Sequence, residues 1–365
     1  MSSLPINQHY MQRALELARQ GLFTTHPNPR VGCVLVKDDK IIAEGWHEKA
    51  GAAHAEINAL KKAGENAKGA TCYVTLEPCC HQGRTGPCIQ ALIDAGVKQV
   101  IAAMRDPNPL VAGKGFAILS ENGIEVEVGL LESEAQELNI GFIKRMQHGL
   151  PFVRAKLAMS LDGRIAMQSG ESQWITGEAA RADGQRLRAR ASAILTGSGT
   201  VLADDPKLNV RLPNFDRQPM RVIIDSQLQT PATAQILQQP GEVLIFTLNK
   251  DVATQQALRD AGAEIVLAKA QNNKVDLFDV LTVLAQRECN EIHVEAGSGL
   301  IGALLQANLI DELICYLAPK CLGSDAQAAF HLPGLAQLSD AVQLRFDSVE
   351  RMGEDLRIRL VNGIY

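Results

Sequence analysis

Apolar residues recur along the chain in two alternating periods, and the switches between them outline a succession of strands and helices. Residues 10 to 20 carry apolar positions at helical spacing and predict an amphipathic helix. Val31 to Val36 and Ile41 to Trp46 are strand-like runs on either side of Lys37-Asp38-Asp39-Lys40, which predicts a hairpin. Ile57, Leu60 and Ala63 follow His54 at helical spacing, so a buried helix is expected to open at that histidine. Strand Thr71 to Leu76, a helical run Ile89 to Ala95 opened by Pro87-Cys88, strand Gln99 to Ala103, a further helix and strand Ile124 to Val128 continue the alternation. A helical stretch from Glu132 ends near Gln147-His148-Gly149-Leu150-Pro151, a glycine- and proline-containing segment that suits a domain boundary. Two domains are expected, 1–147 and 151–365.

The second begins with strands at Phe152 to Ala158, Ala193 to Thr196, Arg221 to Asp225, Val243 to Thr247, Glu264 to Leu267 and Glu291 to Val294. Helical periodicity lies between them at Glu178 to Ala191, Val252 to Ala261 and Asp276 to Gln286. The last strands, Glu312 to Leu317, Val342 to Glu350 and Leu356 to Val361, are separated by turns, so antiparallel pairs are expected at one sheet edge. Both halves therefore read as α/β layers.

Composition narrows the function class. A length of 365 residues suits two domains, and a hydrophobic content of 46% is ordinary for globular protein. No apolar run approaches the roughly 18 residues of a membrane span, and Met1-Ser2-Ser3-Leu4-Pro5 lacks the layout of a signal peptide. Eight cysteines in a chain of this length suit a reducing, cytoplasmic setting better than a disulfide scaffold. A formal net charge of −5 without a lysine-arginine stripe disfavours nucleic acid. The expected partners are a small molecule and further copies of the chain, in a homo-oligomer, with neither nucleic acid nor membrane.

The sharpest chemical signal is His54-Ala55-Glu56, followed by Pro78-Cys79 and Pro87-Cys88. One imidazole and two thiolates make a three-ligand zinc set, and an open fourth position marks a catalytic rather than a structural site. Glu56 supplies a carboxylate to move protons at the water that zinc would acidify. This His-x-Glu and Pro-Cys arrangement is the signature of zinc deaminases of nucleobases. Cys80, beside one ligand, stands as a rival for Cys79, and His81 as a rival nitrogen ligand, although it suits facing substrate better. Cys33, Cys72, Cys289, Cys315 and Cys321 read as small hydrophobes. The deaminase pattern usually has Cys-x-x-Cys; here His81-Gln82-Gly83-Arg84-Thr85-Gly86 intervenes, reads as a substrate loop, and argues against a plain cytidine or tRNA deaminase. In the second half, Glu295-Ala296-Gly297-Ser298-Gly299 joins a strand to the helical run Leu300 to Gln306, a weak signal for a phosphate cradle.

The second half also carries Lys156-Leu157-Ala158-Met159-Ser160-Leu161-Asp162-Gly163-Arg164, Gln173-Trp174-Ile175-Thr176, and Gly197-Ser198-Gly199-Thr200-Val201 running into Asp204-Asp205-Pro206, Leu208 and Arg211. Together with the zinc half, over essentially the whole chain, this resembles the bifunctional riboflavin-biosynthesis deaminase–reductases. The resemblance implies a cytidine-deaminase-like domain joined to a dihydrofolate-reductase-like domain, using Zn2+ and NADPH on a phosphoribosylated pyrimidine. It implies deamination of 2,5-diamino-6-(5-phosphoribosylamino)pyrimidin-4-one, then reduction of the ribosyl side chain. His54, Cys79 and Cys88 would hold zinc, Glu56 would shuttle protons, and Asn28 would hold the ring. The nicotinamide cofactor would meet Ala158, Trp174, Thr200, Asp204, Ser226 and the turn Gly297, Ser298, Gly299, Leu300, Ile301, Gly302 and Ala303. The reductase substrate would meet Ser172, Arg188, Leu208, Arg211 and Glu295. Arg188 and Arg211 suit phosphate clamps, because guanidinium forks match phosphate oxygens. Asp225, beside Ser226, suits a bare ribose hydroxyl, so NADPH rather than NADH rests on the resemblance. Lys156 and Asp204 are both candidates for the proton donor of the reduction. Two other readings remain on sequence grounds: a nucleic-acid deaminase with an RNA-binding domain, which needs more aromatics than 4%, and a zinc-stabilised binding module, which has no need of Glu56.

Overall fold

The computed structural model describes residues 6–80, 86–109 and 111–362. The chain folds as two compact units, Met1–Gly149 and Leu150–Tyr365. The first is built on a five-stranded sheet in the order Lys40–Trp46, Gly32–Lys37, Thr71–Val74, Gln99–Ala102, Glu125–Val128. The first two pairings are antiparallel and the last two parallel. Asp38 and Asp39, at φ 51° and 55°, make the tight hairpin turn.

Alternation along the strands feeds two cores. Cys33, Leu35, Cys72 and Val74 face helices Ala55–Ala63, Cys88–Asp94 and Lys114–Glu121, while Val34, Val36 and Tyr73 face helix Ile6–Gln20. Glycines let helix backbones lie directly on the strands. A Cβ at Gly32 would stand 2.0 Å from the Ala14 carbonyl oxygen, and one at Gly45 would stand 2.4 Å from that of Ala55. The metal-site helix accordingly buries its small residues Ala55, Ala59 and Ala63 along with Glu56, and leaves Ile57 and Leu60 half-buried. The periodicity in sequence had Ile57 and Leu60 leading inward; the close approach at Gly45 turns the small-residue stripe to the sheet instead. The stretch from Glu132 is broken at Asn139 into helices Glu132–Leu138 and Ile140–His148, because the Asn139 side chain bonds both the N–H and the carbonyl of Arg30.

The second unit carries a nine-stranded sheet: Glu264–Leu267, Val243–Thr247, Met220–Ile224, Ala193–Gly197, Glu291–Val294, Phe152–Ser160, Glu312–Ala318, Asp355–Asn362, Leu344–Met352. The first seven run parallel and the last two close one edge antiparallel, as the turn-linked spacing implied. Both faces are covered, Leu244 and Phe246 entering one core and Val243 and Ile245 the other. At its centre Arg154 is buried between Glu291 and Glu312 on the two flanking strands, with Arg190 and Arg359 completing the charge balance. Breaking such a buried ladder would strand a charge, so it fixes the pairing of these three strands. Helix Ser198–Asp204, one turn beyond strand Ala193–Gly197, was not foreseen from its glycine-rich sequence.

The Gly45 contact yields a test. Gly45→Ala is expected to cost about 1–3 kcal/mol, the range for overpacking, because its Cβ would meet backbone atoms that cannot rotate away. Urea denaturation followed in the first unit measures this; an unchanged midpoint would mean that the helix has room to move.

Candidate functional sites

Both candidate sites lie where parallel strands end and helices begin. In the first unit, His54 is the N-cap of helix Ala55–Ala63, Cys88 is the first residue of helix Cys88–Asp94, and Cys79 follows strand Thr71–Val74. Their ligand atoms lie within 4.8 Å of one another. His54 Nδ1 is 3.2 Å from Cys88 Sγ and 3.5 Å from Cys79 Sγ, and the Cys88 N–H donates to Cys79 Sγ at 3.3 Å. Among the described residues Cys80 is not part of this group; it packs against the apolar core. His81 and the rest of the insert to Thr85 lie outside the described residues.

Electrostatics supports a metal. The Cys88 thiol, and then the His54 ring, hold Cys79 down to about 4, while the same contact with Cys79 pushes Cys88 far above the thiol range. Glu56, 3% exposed, is pushed up to about 7 by burial first and by the Cys79 charge second. His54 is raised by its bond to Cys79. An imidazole and two thiols at this spacing, short of charge compensation, fit a tetrahedral Zn2+ with one position left open.

One neighbour was missed in sequence. His47 is buried at the end of strand Lys40–Trp46, its ring edge-on to His54 with centroids 5.4 Å apart. Its Nδ1–H donates to the Ala53 carbonyl at 3.1 Å, so Nε2 accepts from the Asn28 amide at 3.1 Å. That network brings Asn28 to the ligand set. The only signal was a polar residue closing an apolar strand.

In the second unit, strands Ala193–Gly197 and Glu291–Val294 are neighbours whose outgoing connections lead to opposite sides of the sheet. This is a topological switch point, where a crevice opens beyond the strand ends. Helices Ser198–Asp204 and Ser298–Gln306 start there, and the Gly297 N–H donates to Thr200 Oγ1 at 3.2 Å. Gly297 caps its helix without a side-chain bond, and a Cβ at Gly199, Gly297 or Gly299 would meet open space. The first-turn amides and the open crevice fit a dinucleotide phosphate. Ile301 and Gly302, however, face inward: Ile301 is buried in the core, and a Cβ on Gly302 would stand 2.0 Å from the His331 carbonyl oxygen. Gly297, Ser298, Leu300 and Ala303 are half-buried and Gly299 is exposed, so these positions of the segment stay open to a ligand.

The remaining positions are distributed as follows. Ala158, Ser172 and Ser226 are half-buried, and the Ser226 hydroxyl oxygen accepts from the Val275 N–H. Trp174 is 62% exposed, with the Arg181 guanidinium 4.6 Å from its ring centroid. Asp204 is exposed at its helix end. Leu208 is buried with Ile194 and Val201, which leaves only its backbone for substrate. Asp225 is buried and spends its oxygens on the Gln229 N–H and on Thr230, so it builds a turn and is not free to take a ribose hydroxyl. Arg188 is also committed: it pairs through two nitrogens with Glu295 and donates its third to the Asn209 carbonyl at 3.0 Å. Arg211 is exposed, and its guanidinium makes one bond, 3.1 Å to Asn209 Oδ1. Of the two arginines, Arg211 keeps the free fork. Lys156, its pKa lowered by burial, shares the Glu295 and Arg188 environment.

Known proteins resemble this chain over both halves. Residues 5–104 match the cytidine and deoxycytidylate deaminase zinc-binding region, and residues 151–358 match the RibD C-terminal domain. The riboflavin biosynthesis protein RibD of Escherichia coli strain K12 is 52% identical, over 98% of this chain and 100% of its own length. That of Haemophilus influenzae is 50% identical, over 96% and 95%. The solved structure of Acinetobacter baumannii RibD is 48% identical with a TM-score of 0.91, covering 98% of both chains. A Thermotoga maritima diaminohydroxyphosphoribosylaminopyrimidine deaminase/5-amino-6-(5-phosphoribosylamino)uracil reductase is 34% identical with a TM-score of 0.88, covering 98% of this chain and 99% of that one.

The ligand geometry sets an expected metal content. Purified protein should carry about one zinc per chain, retained in Cys80→Ser and lost or weakened in Cys79→Ser and Cys88→Ser, because a serine hydroxyl stays protonated where the site needs a thiolate. Elemental analysis decides; a requirement for Cys80 in place of Cys79 would overturn the ligand assignment.

Proposed function

Since the chain belongs to the family of bifunctional riboflavin-biosynthesis deaminase–reductases, we propose that it performs both reactions in turn, with the residues assigned as follows. Its N-terminal unit hydrolyses the 2-amino group of 2,5-diamino-6-(5-phosphoribosylamino)pyrimidin-4-one, and its C-terminal unit reduces the ribosyl side chain to give 5-amino-6-(5-phosphoribitylamino)uracil. The observation that carries the deaminase assignment is a buried carboxylate, Glu56, beside the His54, Cys79 and Cys88 set.

Zinc, when bound by these three residues, supplies a water acidic enough to attack near neutral pH. Glu56 takes one proton from the attacking water and delivers it to the ring nitrogen, then takes the second from the hydroxyl left on the ring carbon and delivers it to the amino group, which departs as ammonia. Its elevated pKa, near 7 without metal, suits a group that must both hold and release a proton. His47 fixes the Asn28 amide by accepting from its nitrogen, which leaves the Asn28 carbonyl oxygen to orient the pyrimidine.

NADPH, when bound in the crevice at Gly197 and Gly297, supplies the hydride. The first-turn amides of helix Ser298–Gln306 would hold its phosphates, and the exposed face of Trp174 would take a ring. Lys156, half-buried beside Glu295, is better placed than the exposed Asp204 to return the matching proton. Arg211 binds the substrate phosphate, while Arg188 holds Glu295 ready for a ribose hydroxyl. The protein assembles as a homo-oligomer. Edge strand Leu344–Met352 supports this, because it leaves its outer hydrogen-bonding groups unpaired and exposes Phe346 and Val349. No helix among the described residues is long and apolar enough to cross a membrane.

Two outcomes test these roles. Glu56→Gln should keep fold, zinc and reductase activity but lose deamination by about 100- to 10,000-fold; normal ammonia release by the variant would remove Glu56 from the mechanism. Arg211→Ala should lower reductase kcat/KM by roughly 10- to 150-fold, the worth of a bond to an ionised group, and Lys should restore only part of it. The comparison is between phosphorylated and dephosphorylated substrate: if the variant prefers the phosphate as strongly as wild type, Arg211 is an ordinary surface charge.

A further inference from the structure

Three backbone N–H groups converge on one buried carboxylate that lies outside the ligand set. Glu77, 3% exposed, immediately precedes Pro78-Cys79. Its Oε2 accepts from the N–H of Asp106 at 3.2 Å and of Gly113 at 2.9 Å, and its Oε1 accepts from that of Gly115 at 3.0 Å. The Glu77 N–H donates to the Met104 carbonyl at 3.0 Å. Gly113 is the N-cap of helix Lys114–Glu121 and Gly115 lies in its first turn, so the carboxylate sits at the end of the helix that favours negative charge. The two segments touch backbone to backbone: a Cβ on Gly115 would stand 2.5 Å from the Pro78 carbonyl oxygen.

Cys79 differs from its two fellow ligands in how it is held. His54 and Cys88 stand at helix starts, whereas Cys79 comes from an extended segment. Its carbonyl accepts from the Ile89 N–H at 3.3 Å, and two residues upstream the chain is fastened by Glu77. Charge-assisted bonds to backbone N–H groups are about twice as strong as neutral ones, and three of them meet here.

We propose that Glu77 is a positioning residue of the metal site: by tying the Cys79 segment to helix Lys114–Glu121, it fixes the Cys79 sulfur at the spacing that zinc requires. This rests on the assignment of His54, Cys79 and Cys88 as ligands. Glu77 touches neither substrate nor metal and acts through the backbone of Pro78-Cys79. Its replacement by Gln keeps the size but turns an amide NH2 toward groups that are themselves donors. Gly115→Ala keeps the Glu77 carboxylate but presses on the tie itself, its Cβ standing 2.5 Å from the Pro78 carbonyl oxygen and 3.1 Å from Glu77 Oε1.

The test measures zinc release to a chromophoric chelator from the full-length zinc-loaded protein. Glu77→Gln should release zinc about 10- to 100-fold faster than wild type, the range for residues that support metal ligands, and Gly115→Ala should also release it faster. Reductase turnover in the same chain should be unchanged, which reports intact folding of the other unit. Leu119→Ala, which removes a fully buried side chain from the same helix but leaves the three backbone bonds to Glu77 and the Gly115–Pro78 approach in place, should release zinc at close to the wild-type rate. Wild-type release rates in both Glu77→Gln and Gly115→Ala, or equally fast release from Leu119→Ala, would overturn the proposal. If Glu77→Gln does not fold, Gly115→Ala against Leu119→Ala decides it alone. A wild-type chain that holds no zinc at all would overturn the ligand assignment itself.

Discussion

Four ionisable groups, His54, Glu56, Cys79 and Cys88, crowd one largely buried spot, and they cannot all reach their working charge states there without a cation. The metal-free arrangement makes the conflict visible: the contact between the two sulfurs holds Cys79 down to about 4 and raises Cys88, and burial pushes Glu56 up to about 7. Much of the first unit follows from keeping this cluster together. Gly45 lets the Ala55–Ala63 backbone settle on the sheet so that His54 and Glu56 project from its start. The Cys88 N–H meets the Cys79 sulfur, and Glu77 fastens the ligand that has no helix of its own.

The second unit meets a related problem by pairing. Arg154 is neutralised by Glu291 and Glu312 deep in the sheet, and Arg188 by Glu295 near the crevice. Arg211 is left with most of its donors free, which suits an incoming phosphate better than a cation already matched. Both units gather their chemistry at the carboxyl ends of parallel strands, where helix amides and loops are available and the sheet itself is not disturbed. One unit uses that edge to present soft metal ligands, the other to present backbone amides.

The fold was largely legible in sequence because its signals are local. Strand and helix periods alternate, the Gly149-Leu150-Pro151 segment interrupts them, and turn-linked strands at the end form the antiparallel edge. The zinc set was legible because its residue types are chemically rare together. What escaped depends on long-range pairing. Arg188 looks like a phosphate clamp until Glu295, far along the chain, occupies its fork. Asp225 looks like a ribose acceptor until Thr230 and Gln229 take its oxygens. Ile57 and Leu60 look like the buried face until the glycine contact at Gly45 sets the helix rotation. His47 and Glu77 carried no spacing signal; each matters through what it touches.

The central claim is that a zinc ion resolves the charge conflict at His54, Cys79 and Cys88, and proton counting tests it most directly. Zinc is titrated calorimetrically into metal-free protein near pH 7 in buffers of differing ionisation enthalpy, which gives the number of protons released on binding. Because the contact with Cys79 raises the Cys88 pKa and zinc needs the thiolate, binding should release at least about one proton per zinc. The release should fall in Cys88→Ser, which has no thiol to ionise. Tight binding of one zinc with no proton released would contradict the account.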